Sequence, residues 1–165
     1  MIPEIRRILY ATDLSDNSRH AFGYAVAIAE RFGASITLFH VVEDFSPAST
    51  ARIVDYIGEE GWAAIQKRRS TEFLDTIKGR MADFCNEMQD SAPECELRVD
   101  EMTTSHGHAA EEILRQVDTG RFDVVVMGTH GIGGMTEALM GSTARRVVRR
   151  SVVPVLTVRL PGRKS

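Results

Sequence analysis

Three short segments of this chain, residues 8–11, 36–39 and 124–127, are apolar on both faces of an extended strand. A strand of that kind must be covered on both faces, as happens in the interior of a parallel sheet. A fourth predicted strand, residues 96–102, instead alternates apolar and polar positions, which is typical of a half-buried strand. We therefore expect the first three strands inside a parallel sheet and the alternating strand at its edge.

The segments between the strands have the apolar spacing of amphipathic helices. The pattern predicts strands at residues 5–11, 35–42, 96–102, 123–127 and 152–158, and helices at residues 17–32, 59–89, 109–117 and 143–150. Strands that alternate with helices form a parallel sheet joined by right-handed crossovers. A chain of 165 residues suits one such core. We expect a single α/β domain over residues 1–165, with helices on both faces of a five-stranded sheet.

Two segments fall outside this regular pattern. Residues 43–58 contain Pro47 and several small residues, together with apolar side chains such as Ile53 and Tyr56. We predict a flexible insertion or lid there, with a short helix packed on the body or on a partner as the alternative. Residues 160–165 are expected to form a C-terminal tail.

Composition and charge argue against several functions. The net charge of −3 disfavours a general nucleic-acid-binding protein. Four arginines near the C-terminus are expected to form the solvated face of a helix; they are Arg145, Arg146, Arg149 and Arg150. No stretch approaches the ~18 apolar residues of a membrane span, and the N-terminus lacks a signal-peptide core. We expect no nucleic-acid partner, no membrane span and a cytoplasmic location.

The residues that could bind a metal directly are poorly spaced for it. Cys85 and Cys95 have neither a metal-ligand spacing nor the number expected of a disulfide framework. His106 and His108 precede a predicted helix and have no third type of ligand nearby in the sequence. A zinc site is therefore disfavoured.

Glycines and a helix start follow the strand at residues 124–127. Two residues separate Gly128 from Gly131, and Gly141-Ser142 follows after nine more. Glycine lets the backbone turn with positive φ or lie close to a ligand, and a helix N-terminus directs amides at an anion. Ser142 is expected to be the helix N-cap, where its hydroxyl could also contact a phosphate or a metal. The stretch predicts a phosphate site.

Two common phosphate motifs do not fit these glycines. A Walker loop needs a lysine after its last glycine, whereas Gly134 leads into Met135. A dinucleotide fingerprint needs a further glycine where this chain has Thr136, and it belongs in the first βα unit rather than the last.

The glycine spacing resembles the nucleotide loop of the universal stress protein family, in its ATP-binding branch. Three further blocks carry the resemblance: residues 8–15, 38–42 and 151–158. The chain departs from the family pattern at Ala11, where proline is common, and at Ala144, where a hydroxyl residue is frequent.

The resemblance implies a doubly wound, Rossmann-like sheet of strand order 3-2-1-4-5. Ligands of such sheets bind where the order of connection reverses, which here is between the first and fourth strands. The implied ligand is ATP, or ADP or AMP, with Mg²⁺ held through the phosphates and no dedicated protein ligands beyond Ser142 or Asp13. The implied nucleotide-binding residues are Ala11, Thr12, Asp13, Val41, Met127, Gly128, His130, Gly131, Gly141, Ser142 and Thr143.

Several of these residues have a structural alternative. Asp13 could instead cap the following helix, and Val41 could be ordinary core. His130 is expected to donate a hydrogen bond or to pack, rather than to act as a general base. The family likewise implies a homodimer, formed through the apolar last strand, Val152 to Val158, because an apolar sheet edge must be covered.

The sequence favours nucleotide binding over catalysis. No lysine lies between Gly128 and Gly141, although phosphoryl transfer needs a charged clamp. We expect a regulatory, nucleotide-sensing module of the stress response whose downstream protein partner the sequence does not name. A slow ATPase or adenine-nucleotide hydrolase is one alternative, and a scaffold with a decayed site, signalled by Ala11 and Ala144, is another.

Overall fold

The computed structural model describes residues 2–44, 46–91, 98–130 and 140–159. Five parallel strands form one sheet in the order β3-β2-β1-β4-β5. They are β1 (Arg7–Thr12), β2 (Ser35–Glu43), β3 (Val99–Gly107), β4 (Val124–Gly128) and β5 (Val155–Val158). The predicted strand order is confirmed, with the three apolar strands inside and the alternating strand β3 at one edge.

Four helical segments connect the strands: α1 (Asp16–Phe32), α2 (Pro47–Ser91), α3 (Ala109–Asp118) and α4 (Ser142–Arg150). They cover both faces of the sheet, because successive residues of a strand point to opposite sides. Ile8 and Tyr10 of β1 belong to a core cluster that includes residues of α1 and α2. Leu9 and Ala11 belong to a second cluster that includes residues of α3 and α4. Among the described residues, no helix is long and apolar enough to cross a membrane.

Tyr10 is the centre of the first core cluster. It is fully buried, and its ring packs on Phe22 at 4.9 Å and on Phe84 at 6.5 Å between ring centroids. The hydroxyl group donates a hydrogen bond of 2.6 Å to the Ser18 carbonyl. This bond satisfies a buried polar group and ties the middle strand to the first turn of α1.

The segment 43–58 contains more helix than the sequence indicated. Helix α2 begins at Pro47, a residue that is well tolerated in the first turn of a helix. The helix is broken at Gly58, whose φ of 76° and ψ of 167° are not helical. Residues 47–57 therefore form a short helix. Its packing on the body or on a partner stays a prediction, and Tyr56 is 91% exposed. Further along α2, Met81 and Phe84 are buried against the sheet.

The largest errors in the predicted strand boundaries are in β3 and β5. Strand β3 continues to Gly107 instead of ending at residue 102, because its polar residues still pair with the last residues of β2; residues 96 and 97 lie outside the described part. Strand β5 begins at Val155 instead of residue 152. The Ser151 side chain forms a turn there: it donates to the Val153 carbonyl and accepts from the Val153 amide. Val152 is consequently 77% exposed, and the predicted tail at residues 160–165 lies outside the described residues.

We expect the substitution Tyr10→Phe to lower the free energy of unfolding by about 1 kcal/mol, because it removes the buried hydrogen bond from the Tyr10 hydroxyl to the Ser18 carbonyl. The melting temperature should fall by roughly 2–4 °C. Urea denaturation followed by circular dichroism measures the effect. Tyr24→Phe is the matched control, since Tyr24 is 49% exposed; equal stability of the two variants would contradict this reading of the Tyr10 hydroxyl.

Candidate functional site

The carboxyl ends of β1 and β4 lie side by side at the point where the chain connections reverse direction. The register pairs Ala11 with Met127. Beyond this pair the chain continues into Thr12 and Asp13 on one side and Gly128 on the other. From β1 the connections run outward through β2 to β3, and then return across β1 to β4. This is the place at which doubly wound sheets bind ligands.

Asp13 lies in a turn that is hydrogen-bonded within itself. Its Oδ1 accepts from the Ser15 amide at 3.0 Å and from the Ser15 hydroxyl at 2.6 Å. Helix α1 begins only at Asp16, and its N-cap, Ser15, makes no side-chain capping bond. Asp13 thus shapes the turn before the helix. It does not cap the helix, so the structural alternative for Asp13 is wrong.

The other carboxylate oxygen of Asp13 is the notable feature of this turn. Oδ2 is buried, and among the described residues it has no hydrogen-bond partner. Buried polar atoms in proteins are nearly always paired, because leaving one unpaired costs about 1–3 kcal/mol. A carboxylate oxygen can only accept a hydrogen bond or bind a cation. The turn therefore holds an acceptor suited to a ligand hydroxyl, an amino group or a metal ion.

The same turn holds Leu14 in a strained conformation. Leu14 has a φ of 60°, a region that non-glycine residues seldom occupy. Its amide donates to the Thr12 hydroxyl at 3.0 Å, and its side chain packs against the first core cluster. Such strain costs about 1–3 kcal/mol and tends to occur at functional sites.

The glycines after β4 allow two stretches of backbone to approach each other closely. The Gly141 amide donates to the Thr129 carbonyl at 2.8 Å. A Cβ atom at Gly141 would lie 3.1 Å from that carbonyl oxygen, and one at Gly128 would lie 3.3 Å from the His130 carbonyl oxygen. The φ of Gly141 is −59°, so this glycine serves the close approach of the backbone and not a left-handed turn. Gly131, the remaining predicted glycine, lies outside the described residues.

The start of α4 differs from the prediction by one residue. Gly141 is the N-cap and Ser142 is the first helical residue, and no side-chain capping bond forms. The first backbone bond of the helix runs from the Arg145 amide to the Gly141 carbonyl. The amides of Ser142 and Thr143 precede that bond and lie at the positive end of the helix dipole. Ser142 is therefore inside the first turn of the helix and is not its N-cap.

Three of the predicted residues share one face of the sheet. Ala11 and Met127 belong to the second core cluster, and Val41 packs against it. Val41 is half-buried and lies near the carboxyl end of β2, beside Ser105 of β3. These side chains provide an apolar wall next to the polar turn.

The sequence did not indicate two contributors to this region. Thr129 is buried; its amide donates to the Val158 carbonyl of β5 at 3.0 Å, and its hydroxyl lies 3.0 Å from His130 Nδ1. His40 Nδ1 lies 2.8 Å from the Thr12 carbonyl oxygen. One signal for His40 was available in the sequence: it is a polar residue on the same face of β2 as the apolar Leu38 and Val42, which are buried.

Other polar clusters are satisfied away from these strand ends. Arg146 and Arg150 of α4 both contact Glu111 of α3, so part of the arginine face joins two helices. His106 lies near the carboxyl end of β3, and His108 is the N-cap of α3. Within the described ranges, no three histidine, cysteine, aspartate or glutamate side chains are grouped as a metal site.

Burial lowers the pKa of His40, although the Thr12 carbonyl and the Asp13 charge act in the opposite direction; the Arg80 charge lowers it further. The folded protein therefore takes up this proton less readily than the unfolded chain. The stability that depends on neutral His40 is present above the ordinary pKa of 6.5 and is lost as the pH falls through the lower folded pKa.

We expect the stability of the wild-type protein to fall more steeply than that of His40→Asn between about pH 7 and about pH 5, because asparagine does not titrate. Urea midpoints measured across this range test the difference. Parallel curves for the two proteins would show that His40 does not contribute to the pH dependence.

Comparison with known proteins places the chain in a family. Residues 4–159 match the model of the universal stress protein family. Universal stress protein MJ0531 of Methanocaldococcus jannaschii is 31% identical over 159 residues, which cover 96% of this chain and 85% of that protein.

Solved structures share the fold. Universal stress protein UspA from Lactobacillus plantarum has a TM-score of 0.69 at 24% identity, covering 96% of this chain and all (100%) of that one. A universal stress protein in complex with cAMP has a TM-score of 0.64 at 21% identity, with 96% and 100% covered. The family match, the sequence relative and the sheet order agree: the chain belongs to the universal stress protein family.

Proposed function

We propose that this protein binds an adenine nucleotide, with ATP the expected ligand and ADP or AMP the alternatives, at the carboxyl ends of β1 and β4. The observation that carries the proposal is the buried Oδ2 of Asp13, which has no hydrogen-bond partner in the part of the chain that the structure describes. A ribose hydroxyl is a donor of the right kind for this oxygen, and the strand ends that flank it are the usual ligand position of the fold.

The phosphates would lie against the backbone that follows β4. A Cβ at Gly128 or Gly141 would press on a backbone carbonyl oxygen, so glycine at these positions lets the backbone lie close together. The amides of Ser142 and Thr143 begin α4 and favour a negative charge. Gly131 remains part of the proposed site from its sequence spacing, and His130 is proposed as a hydrogen-bond donor.

The base would rest on the apolar wall of Ala11, Val41 and Met127. An apolar wall beside a few placed polar groups is the usual character of a small-molecule site. The similar structure solved with cAMP supports the proposal to the extent that the fold there holds an adenine nucleotide.

A magnesium ion fits this site only as a companion of the nucleotide. Magnesium prefers six oxygen ligands and usually takes several of them from phosphates and water. The described residues offer two candidates, the free oxygen of Asp13 and the hydroxyl of Ser142. We therefore propose that Mg²⁺ binds with the phosphates and supplies charge neutralisation there.

We propose a regulatory, nucleotide-sensing role rather than efficient catalysis. The sequence places no lysine between Gly128 and Gly141 to act as a charged clamp. A slow ATPase remains the competing activity, and the release of phosphate distinguishes the two.

We also propose a homodimer that pairs β5 of one chain with β5 of another. Strand β5 is at the sheet edge, and identical edges related by a two-fold axis close the assembly at two chains. The Pro154 carbonyl accepts a hydrogen bond from the Val125 amide, and the Val158 carbonyl accepts one from the Thr129 amide, so both carbonyls point toward β4. Because backbone groups alternate in direction along a strand, the Thr157 amide points to the open edge.

We expect ATP with Mg²⁺, at about 100 times its Kd, to stabilise the fold by about 2.7 kcal/mol. The melting temperature should rise by roughly 5–11 °C. Gly141→Ala should reduce this rise strongly, because the added Cβ meets the Thr129 carbonyl. Gly79→Ala is the matched control, since open space surrounds Gly79.

Two results would contradict the proposal: an unchanged melting temperature of the wild-type protein in millimolar ATP, or an equal shift in Gly141→Ala.

The same samples can be used to measure catalysis. Steady phosphate release faster than the typical enzyme floor of ~1 s⁻¹, abolished by Asp13→Ala, would favour the enzyme over the sensor.

For the dimer, we expect Thr157→Pro to give monomers with the fold retained, because proline removes the outward amide of an edge strand. Thr157→Val is the matched control: it keeps the amide and should remain dimeric. Sedimentation velocity at micromolar concentration separates the two states. A monomeric wild-type protein, with or without ATP, would rule out this assembly.

A further inference from the structure

We propose that His40 is a positioning residue of the nucleotide site: its ring holds the Thr12 carbonyl and thereby fixes the turn in which Asp13 presents its free carboxylate oxygen. The assignment of a role in binding rests on the nucleotide function proposed above. His40 itself is not among the residues expected to touch the nucleotide.

The geometry determines which atom of His40 carries the proton. Nδ1 lies 2.8 Å from the Thr12 carbonyl oxygen, which can only accept a hydrogen bond. Nδ1 is therefore the donor, and in the neutral ring Nε2 is the acceptor. The register places His40 directly beside Thr12, on neighbouring strands, so the strand pairing brings the ring to this carbonyl.

The held carbonyl belongs to the peptide that leads into Asp13. Thr12 is the last residue of β1, and the chain leaves the sheet at this point. The Thr12 hydroxyl accepts from the Leu14 amide, and Asp13 Oδ1 accepts from the Ser15 amide. His40 is thus a contact from a neighbouring strand that supports this turn.

The turn needs such support because it is not a relaxed conformation. Leu14 has a φ of 60°, and Asp13 Oδ2 is buried without a described partner. Both features cost free energy, and each persists only where the surroundings enforce it. A turn freed from His40 could relax by rotating the Thr12–Asp13 peptide and turning Oδ2 toward water.

Burial of the ring favours its neutral form as the working state. Asp13 and Arg80 act on His40 in opposite directions, and burial favours the neutral ring. A neutral ring with its proton on Nδ1 keeps the bond to Thr12 at physiological pH without adding a positive charge beside Asp13.

Three substitutions separate this role from general packing. His40→Leu removes the donor but keeps an apolar side chain of similar bulk. His40→Asn places an amide N–H close to the position of Nδ1, whereas His40→Gln reaches toward the position of Nε2. The positioning role predicts that asparagine restores what leucine loses and that glutamine does not.

Two measurements follow the variants in the full chain. Amide hydrogen exchange at Leu14 and Ser15 reports on the turn without nucleotide, with the Val125 amide, which is bonded to the Pro154 carbonyl in the sheet, as the internal reference. Calorimetric titration with ATP and Mg²⁺ reports the Kd. We expect His40→Leu to speed exchange at Leu14 and Ser15 by about tenfold relative to Val125 and to weaken ATP binding by about three- to tenfold.

The outcomes are distinct. Recovery of both readouts in His40→Asn, but not in His40→Gln, supports the proposal. Unchanged exchange at Leu14 and Ser15 in His40→Leu overturns it, as does equal behaviour of the asparagine and leucine variants. A wild-type protein that binds no ATP would instead overturn the nucleotide function, and the exchange data would still decide whether His40 holds the turn.

Discussion

The rest of the structure depends on the burial of β1 between two parallel neighbours. Its residues are buried from Ile8 to Thr12, and they contribute alternately to the core clusters on the two faces of the sheet. Pairing with β2 on one side and β4 on the other makes β1 the strand from which the connections diverge. The same placement creates the crevice at its carboxyl end, so the core and the candidate site have one cause.

Different contacts hold the two sides of the candidate site. On the β1 side, a strained turn at Leu14 is held by side-chain bonds and by His40. On the β4 side, two glycines let the backbone close on itself, and Thr129 ties this stretch to β5. Substitutions at the two sides should therefore affect a ligand differently, through orientation of a carboxylate in the first case and through space for the backbone in the second.

Most of the fold could be predicted because apolar periodicity reports burial directly. Strands β1, β2 and β4 are apolar on both faces and proved to be interior. The errors in the strand boundaries occurred where the polarity of the side chains did not match the secondary structure of the backbone. The polar end of β3, which includes Ser105, still pairs with β2 as an edge strand. Val152 is apolar but lies before β5, because the Ser151 hydroxyl forms a turn there. Helix α2 begins early because Pro47 is compatible with a helix start.

By itself the sequence determined the α/β class, the interior position of the three apolar strands and the presence of a glycine-rich connection before a helix; the strand order was implied by the resemblance to the family. These three features follow from the local sequence, since apolar periodicity indicates burial and glycine indicates backbone freedom. Only the tertiary structure decided that one oxygen of Asp13 has no partner among the described residues, that Gly141 rather than Ser142 is the N-cap of α4, and that His40 reaches Thr12. Those features depend on atoms brought together from separate segments, and a hydrogen bond between distant segments leaves no periodic trace in the chain.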